Sequence, residues 1–414
     1  KANKSWWLVY RELSYSVGSI MKIFAIDVKW QDYKPSNVLD WLGIDYTSIK
    51  SLKSIPNRPN DICLASQKQF GDGTIERFDW NEGIPNAIEE LSSKFKKVIL
   101  INDDYTGQWP KKVGNTYVLG LELKTFDRKG SSKFRQLQNN DKYYFNYVYY
   151  RSFYEKSKYV DNPSDYPKLI QSMKNTIREK AYLNMNKYPK SHRLGIIIKL
   201  LENDIFDLGY NSMLCAPMDY EDFQKRITDI DTGSYNYSFL DIDKKTMDMV
   251  NERLPIILQD EEKIEGSPGN YTGADTVGIP YDYMLNSYFT LVTESHNREV
   301  DTFITTEKLT KPLLGMHPFI LLGQPYTLKH LKDKGFETFS EVIDESYDNE
   351  VDDTIRFSKV VNECNNLFKN NTQKDLHNLY YDVLYDKLEH NYYNYIKVIE
   401  KELQIIKDII DDKI

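Results

Sequence analysis

The stretch FITTEKLTKPLLGMHPFILLG, residues 303–323, places a polar cluster between two apolar segments. Thr305 and Thr306 are of the residue types that cap helices, so the pattern predicts a short helix that begins at Glu307. The closing run Pro-Phe-Ile-Leu-Leu-Gly is continuously apolar and predicts a buried strand. The stretch therefore predicts a turn, a short helix, a second turn and a strand.

The N-terminal half shows the same alternation of helix and strand. Residues 81–97 have apolar side chains at helical spacing, and the apolar run 98–102 follows at once. A continuously apolar strand directly after an amphipathic helix is typical of a parallel sheet that is covered on both faces. Further strands are predicted at 21–30 and 115–123, so this half is predicted to be α/β.

A second α/β unit is predicted to begin near residue 175. Gly209 is predicted to end a helix as its C′ residue. Residues 127–165 are predicted to be irregular, with one aromatic strand at 143–153. The remaining predicted elements are helices at 167–180, 192–209, 220–228, 243–252, 327–335 and 375–414, and strands at 181–186, 210–216 and 287–295.

Composition limits the classes of function. The 414 residues carry a formal net charge of −8, whereas a general nucleic-acid-binding surface needs the opposite sign to neutralise phosphates. The three cysteines are far apart, which argues against a disulfide framework or a zinc site and favours a reducing, cytoplasmic compartment. No apolar run approaches the ~18 residues that span a bilayer, so no membrane span is expected.

The start of the helix predicted from Glu307 suits a nucleotide. The first turn of a helix has free N–H groups and a partial positive charge, which favour phosphate. Lys308 and, one turn later, Lys311 add cations on the same face. A carboxylate at Glu307 suits the two hydroxyl groups of a ribose. The alternative is an ordinary capped surface helix, because glutamate is favoured at any helix N-terminus.

Two further segments offer ligand contacts. Glu294 ends the predicted strand 287–295, and open α/β sheets bind ligands at strand ends. The second segment, NMNKYPKSHR, leaves a strand and enters a helix, and its candidate donors are Asn186, Lys187, Lys190, His192 and Arg193. The alternatives are that Glu294 is an ordinary acidic residue of a loop and that the second segment is a solvated basic loop.

Residues 290–323 are similar to the nucleotide-binding region of the α1,3-fucosyltransferase family. In that family a strand ending in Glu-Asn-Ser precedes a Tyr/Phe-Ile-Thr-Glu-Lys helix and a Pro-Val-Val-Leu-Gly strand. The sequence departs from the family at Ser295-His296, where the family has Asn-Ser, and it carries Pro312 inside the helix. The matching residues are Glu294, Ile304, Thr306, Glu307, Lys308, Pro318, Leu322 and Gly323.

The chain resembles still more closely a set of uncharacterised glycosyltransferase-like proteins of bacteriophages and environmental bacteria. These share an Asn-Arg-x-Pro-x-x-His-Arg segment, which residues 186–193 match. They also share the run HPFILLGQPYTLKHLKDKGFETFSEVIDESYD, residues 317–348 here. Lys187 stands where they have arginine, and it offers a point charge instead of a planar fork.

The resemblance implies a GT-B architecture, which is α/β, with two Rossmann-like domains that face each other across a cleft and a long C-terminal helical tail. The expected boundaries are 1–170 for the acceptor-side domain, 175–365 for the nucleotide-sugar domain and 375–414 for helices that cross back. The implied activity is transfer of a sugar from a nucleotide-sugar donor, with GDP as one candidate nucleotide, to a glycan or another hydroxyl acceptor. No additional cofactor is expected.

The resemblance also implies roles for individual residues. Glu294 and Glu307 are expected to contact the ribose, and Lys308 to contact the diphosphate. Arg193 and Lys187 are expected to assist at the diphosphate. The other candidate contacts in the donor site are His192, Thr306 and Lys311.

Asp103 and Asp104 end the predicted strand 98–102 and are the candidates for the general base that deprotonates the acceptor. The alternative is that they form a turn after a strand. No metal is expected, although the pattern Asp-x-Asp, which binds metal in other glycosyltransferases, occurs at 229–231 and 241–243.

Two other functions stay open. One is a carbohydrate-binding or virion-associated protein that has the fold without turnover. The intact Glu307, Lys308 and Arg193 argue against it. The other is a sugar transferase that acts on modified DNA bases, against which the acidic net charge argues.

Overall fold

Two parallel β-sheets form the framework of the chain, one in each of two compact units. One unit comprises Lys1–Tyr150 together with Lys397–Ile414, and the other comprises Arg151–Ile396. The computed structural model describes residues 21–26, 39, 42, 44–50, 55–66, 91–102, 116–120, 165–228, 237–240, 242–258, 262–263, 271–272, 280–295, 297 and 306–411.

The sheet of the first unit is parallel throughout, in the order β2-β1-β3-β4-β5. Ile62, Cys63 and Leu64 in the middle strand are fully buried, as expected of a sheet that is covered on both faces. This is a doubly wound order whose switch point lies between β1 and β3. The strands are β1 (Ile23–Ile26), β2 (Thr47–Ile49), β3 (Arg58–Ser66), β4 (Phe95–Asn102) and β5 (Thr116–Gly120).

The sheet of the second unit is also parallel, in the order β11-β10-β6-β7. Every residue of β10 and β11 is buried. Chain order and spatial order diverge between β6 and β10, which is the switch point of this sheet. Its strands are β6 (Lys180–Asn186), β7 (Gly209–Met213), β10 (Ser287–Thr293) and β11 (Phe319–Leu322). A separate two-stranded antiparallel sheet is formed by β8 (Glu262–Lys263) and β9 (Tyr271–Thr272).

The helices of the second unit lie before, between and after its strands. The last of them continues beyond Ile396 into the residues that belong to the first unit. They are α1 (Tyr166–Ser172), α2 (Ser191–Glu202), α3 (Tyr220–Thr228), α4 (Lys244–Asn251), α5 (Tyr281–Leu285), α6 (Glu307–Leu314), α7 (Thr327–Asp333), α8 (Asp353–Cys364), α9 (Gln373–Asn378) and α10 (Tyr385–Ile410). Short 3₁₀ segments lie at Phe206–Leu208, Ser238–Leu240 and Glu345–Asn349, and π-helical segments lie at Asn365–Lys369 and Leu379–Leu384.

The stretch 303–323 folds as predicted where the structure describes it. Thr306 is the N-cap of α6, and its side-chain oxygen accepts a hydrogen bond from the Lys308 N–H at 3.4 Å. The helix begins at Glu307, and the apolar run that follows forms β11. The α/β class and the helical tail are likewise confirmed, with one π-helical segment between α9 and α10.

The helix predicted at 192–209 was too long, and the role assigned to Gly209 was wrong. The helix ends with Asn203 as its C-cap, and Asp204 takes the left-handed conformation at φ 58°. Gly209 is extended and begins β7, where it pairs with Tyr182. A Cβ atom on Gly209 would lie 2.3 Å from the Tyr182 ring, so this glycine makes room for an aromatic side chain instead of ending a helix.

Two other helix boundaries were also wrong. The helix predicted at 81–97 gives way to β4 at Phe95, because Lys97 pairs with Ile62 of the neighbouring strand. The helix predicted at 167–180 ends at Ser172, and turns lead from there into β6. At Phe95 pairing within a sheet outweighs local helical preference. Residues 127–164 of the predicted irregular region 127–165, including its aromatic strand at 143–153, lie outside the described residues.

No helix among the described residues is long and apolar enough to cross a membrane.

Candidate functional site

The predicted donor-site residues of the second unit follow the carboxyl ends of its strands. The chain leaves β6 at Asn186 and enters α2, and it leaves β10 at Thr293 and later enters α6. Since β6 and β10 are hydrogen-bonded neighbours at the switch point, both exits lie at one place on the sheet edge. This crevice is where open α/β sheets bind ligands.

The side chains of Lys190, His192 and Arg193, at the start of α2, form hydrogen bonds with main-chain oxygens of the segment that leaves β10. His192 Nε2 lies 2.8 Å from the Glu294 main-chain oxygen, and Arg193 Nη2 lies 3.5 Å from the same atom. Lys190 Nζ donates to the Ser295 main-chain oxygen at 3.1 Å. The structure therefore brings His192, Arg193 and Glu294 together across about a hundred residues of sequence.

The carboxylate of Glu294 connects the end of β10 to the start of α6. It accepts hydrogen bonds from the Thr306 N–H at 2.9 Å, from the Thr306 hydroxyl at 2.6 Å and from the Ser295 N–H at 2.9 Å. The residue is 1% exposed. In this structure Glu294 thus holds the helix start, and its predicted contact with a ribose stays a prediction.

Buried amides and hydroxyls line the strand ends beneath these residues. The Thr293 hydroxyl donates to Asn186 Oδ1, and Asn186 Nδ2 donates to Asn184 Oδ1 at 2.8 Å. The Asn186 N–H donates to the Ser212 hydroxyl at 3.2 Å. Asn184 Nδ2 is buried and has no hydrogen-bond partner among the residues that the structure describes. The carboxyl edge is therefore polar even within the sheet.

The helices at this edge begin in different ways. At α6 the Thr306 side chain caps the first turn, and Glu294 lies beside it. At α7 the Asp348 carboxylate accepts from the Leu328 and Lys329 N–H groups at 2.8 and 3.0 Å. The N-cap of α2 is Lys190, whose ammonium group cannot accept a hydrogen bond from the helix. An anion is therefore better matched to the start of α2 than to the starts of α6 and α7.

The lysines predicted at the site differ in exposure. Lys187 is half-buried, and its Nζ lies 5.4 Å from the ring centre of Tyr188, which is 56% exposed. Lys308 is half-buried one residue into α6, whereas Lys311, one turn later, is 7% exposed. Lys308 thus lies at the start of α6, Lys187 lies in the loop that precedes α2, and Lys311 lies deeper in α6.

Other predicted residues lie outside the described part of the chain. Asp103 and Asp104 follow the last residue of β4 in sequence but are not among the described residues. Glu307 is the first residue of α6, and its side chain is likewise outside that part.

No group of three or more His, Cys, Asp or Glu residues in the described ranges could hold a metal ion. Asp243 of one Asp-x-Asp pattern caps α4 by accepting from the Thr246 N–H at 2.7 Å.

The sequence did not indicate a buried polar network behind the site, formed by Tyr237, Asn297, Asp353 and Arg356. Asp353 and Arg356 are three residues apart and are recognisable as a helical ion pair. Their contact with Asn297 spans more than fifty residues, and no local pattern signals it. Burial raises the pKa of the Asp353 carboxyl to about 6, against the opposing effect of the Arg356 charge.

Comparison of this chain with protein-family models, with curated proteins and with solved structures finds no match.

The arrangement has the chemistry to bind a phosphorylated ligand. Lys190 and Arg193 lie at the start of a twelve-residue helix, Lys187 lies in the loop before it, and Lys308 lies at the start of the helix that follows the neighbouring strand. Cations and helix N-termini together favour phosphate. The carbonyl, hydroxyl and amide groups of the same edge can bond the hydroxyls of a sugar or ribose.

Proposed function

We propose that this protein is a glycosyltransferase that transfers a sugar from a nucleotide-sugar donor to a hydroxyl acceptor. The observation that carries the proposal is the meeting of His192, Arg193 and Glu294 at the switch point of a parallel sheet. These residues belong to two of the three sequence blocks that resemble glycosyltransferases. Ligand binding at that point is the general rule for open α/β sheets.

In the proposed mechanism, the second unit neutralises the leaving diphosphate. Lys190, Arg193 and the first turn of α2 contact its charged oxygens, and Lys308 contributes from α6. Such groups are already in place before charge develops in the transition state, so they lower the barrier without a reorganisation cost. The proposal needs no metal at this step because the cations and the helix supply the positive charge.

The first unit is proposed to supply the acceptor side. Asp103 or Asp104, which follow β4 in sequence, is the proposed general base that removes the proton of the acceptor hydroxyl. The proposed architecture is GT-B, with two Rossmann-like domains. The doubly wound strand order of both sheets supports it.

The proposal is tested by isothermal titration of the protein with GDP-, UDP-, CDP- and ADP-sugars. One of them is expected to bind, and Lys190→Ala is expected to weaken that binding about tenfold, as one lost charged contact of about 1.4 kcal/mol would. Lys308→Ala tests the α6 side in the same way. Lys199→Ala is the matched control, because Lys199 lies on α2 and pairs with Glu202 at 2.7 Å, away from the first turn.

Each outcome separates the alternatives. Absence of binding with all four donors would count against the function, and binding that neither lysine variant weakens would contradict the proposed site. Release of free nucleoside diphosphate in the presence of glycan acceptors supports the proposal that the protein is a glycosyltransferase. Binding without turnover across an acceptor panel would favour the carbohydrate-binding alternative.

A further inference from the structure

The chain that leaves β10 is held from a second side by α8. Arg356, 1% exposed, donates from Nη2 to the main-chain oxygen of Asn297 and to the Asp353 carboxylate. Asn297 Nδ2 donates to Asp353 Oδ1 at 3.1 Å. The ion pair of α8 therefore bonds both the main chain and the side chain of Asn297, three residues after Glu294.

The same asparagine is linked to α2 through an aromatic residue. Asn297 Nδ2 also donates to the Tyr237 hydroxyl at 2.7 Å. The Tyr237 ring lies 6.5 Å, between ring centres, from the ring of His192, and packs edge-on against Phe357 of α8 at 5.1 Å. Tyr237 therefore lies between α8 and the first turn of α2, beside the histidine that bonds Glu294.

Burying this polar network costs free energy that apolar side chains packed at the same place would not cost. Among the described residues, Asp353 Oδ2, Arg356 Nε and Asn297 Oδ1 are buried without hydrogen-bond partners. Well-packed apolar side chains of similar volume are often as stable as a buried ion pair, or more stable. Stability alone therefore does not account for a charged pair here, whereas a need to fix the position of Asn297 does.

We propose that Asp353 and Arg356 are positioning residues that hold the chain leaving β10 against the first turn of α2. They act through Asn297 on the Glu294 and Ser295 carbonyl groups to which the α2 side chains are bonded. A displacement of about 1 Å is enough to weaken contacts with a bound substrate strongly. The role in donor binding rests on the proposed function, whereas the effect on the chain itself does not.

The decisive variant is the double substitution Asp353→Leu/Arg356→Met, which replaces the ion pair by apolar side chains. It is expected to unfold in urea close to the wild-type midpoint, yet to bind the preferred nucleotide sugar at least about tenfold more weakly. Hydrogen exchange at the amides of residues 294–297 is expected to increase. Lys359→Met is the control on the same helix, since Lys359 pairs with Glu350 at 3.2 Å and is 37% exposed.

A double variant of wild-type stability with unchanged affinity and unchanged exchange overturns the proposal. If the wild-type protein binds no nucleotide sugar, the proposed function fails, and hydrogen exchange alone then tests the positioning role. Faster exchange at residues 294–297 in the double variant than in the wild type supports that role, and unchanged exchange refutes it. If the double variant does not fold, Arg356→Lys replaces it, because it keeps the charge without the planar fork. It is then judged by the same affinity and exchange measurements.

Discussion

The two edges of the sheet in the second unit both bury charged side chains, but in different surroundings. At the carboxyl edge, Lys190 and Arg193 bond the carbonyl groups of a connecting segment beside a helix start. At the amino edge, Arg178 is 2% exposed and donates to the main-chain oxygen of Ser287 at 2.6 Å and to that of Met284 at 3.3 Å. Aromatic rings enclose its guanidinium, at 4.1 Å from Tyr380, 5.3 Å from Tyr288 and 5.9 Å from Tyr381.

His317 completes the amino edge. Its Nε2 atom lies 2.6 Å from the Met284 main-chain oxygen, so this nitrogen carries the proton, and Nδ1 accepts from the Thr290 hydroxyl at 3.1 Å. Burial and, secondarily, the charge of Arg178 lower the pKa of the imidazole to about 3. The amino edge therefore holds one permanent charge and a histidine that is neutral at neutral pH.

The proposed function assigns ligand binding to the carboxyl edge, whereas the contacts of the amino edge serve stability. At the amino edge the polar groups are enclosed by tyrosines and by main-chain oxygens of α5 and β10, so their contacts contribute to folding. At the carboxyl edge they lie where the strands end and helices begin, which is where open α/β sheets bind ligands. Substitutions at the two edges should therefore separate stability from ligand affinity.

The largest effect is expected for Arg178→Met. It removes a buried charged donor and leaves carbonyl oxygens unbonded, which should lower the free energy of unfolding by about 3–5 kcal/mol. Arg253→Met is the control, because Arg253 is 45% exposed and forms a surface pair with Asp207 at 3.1 Å. That variant should lose less than about 1 kcal/mol. Similar urea midpoints for the two variants would remove the distinction between the edges.

A smaller, pH-dependent effect is expected for His317→Gln. The unfolded chain binds a proton on this histidine below pH ~6.5 and the folded chain does not until about pH 3, so the native state loses stability as the pH falls through this window. The wild type should lose about 2 kcal/mol from this group between pH 7 and pH 5, and the variant should not. Urea unfolding at both pH values measures the difference. His390→Gln, at an exposed histidine, should leave the wild-type loss unchanged.

Glycines at the two edges should differ in tolerance to a methyl group. In Gly209→Ala the new Cβ would lie 2.3 Å from the Tyr182 ring, and such overpacking should cost about 1–3 kcal/mol. In Gly323→Ala, directly after β11, the nearest atom would be 3.4 Å away, an ordinary contact. Thermal unfolding of both variants measures this, and an equal loss would show that the amino edge is not the more tightly packed one.

The smallest pH-dependent effect on the free energy of unfolding is expected for Asp353→Asn, and its sign is opposite to that of His317→Gln. Because burial raises the pKa of Asp353 to about 6, the folded chain takes up a proton before the unfolded chain does. The native state therefore gains about 1 kcal/mol from this group between pH 6 and pH 5, and the variant lacks this gain. Unfolding curves at the two pH values check it, and a gain in the variant equal to that of the wild type would contradict the assignment.

Local pattern was enough to predict the α/β class, the start of α6 at Glu307 and the apolar strand β11. These features depend on residues within about one or two helical turns of each other, as the Thr306 cap does. The approach of residues 186–193 to Glu294 was predicted only through the resemblance. Periodicity cannot show which strands pair, so the neighbouring positions of β6 and β10 were not visible in the sequence.

What only the tertiary structure decided involves contacts between distant residues. Gly209 matches the pattern of a helix end, but the Tyr182 ring beside it requires a residue without a side chain. Arg178 is one more basic residue in the sequence, and it is the tyrosines of the C-terminal helices that bury it. In the sequence Asp353 and Arg356 are an ordinary i,i+3 pair, and only the fold shows that Asn297 is bonded to them. The sequence by itself determined the class of the fold and the start of α6, because these depend on neighbours along the chain, whereas pairing in the sheet set the boundary at Phe95. The packing of those elements decided which polar residues are buried together, because burial depends on every segment that covers them.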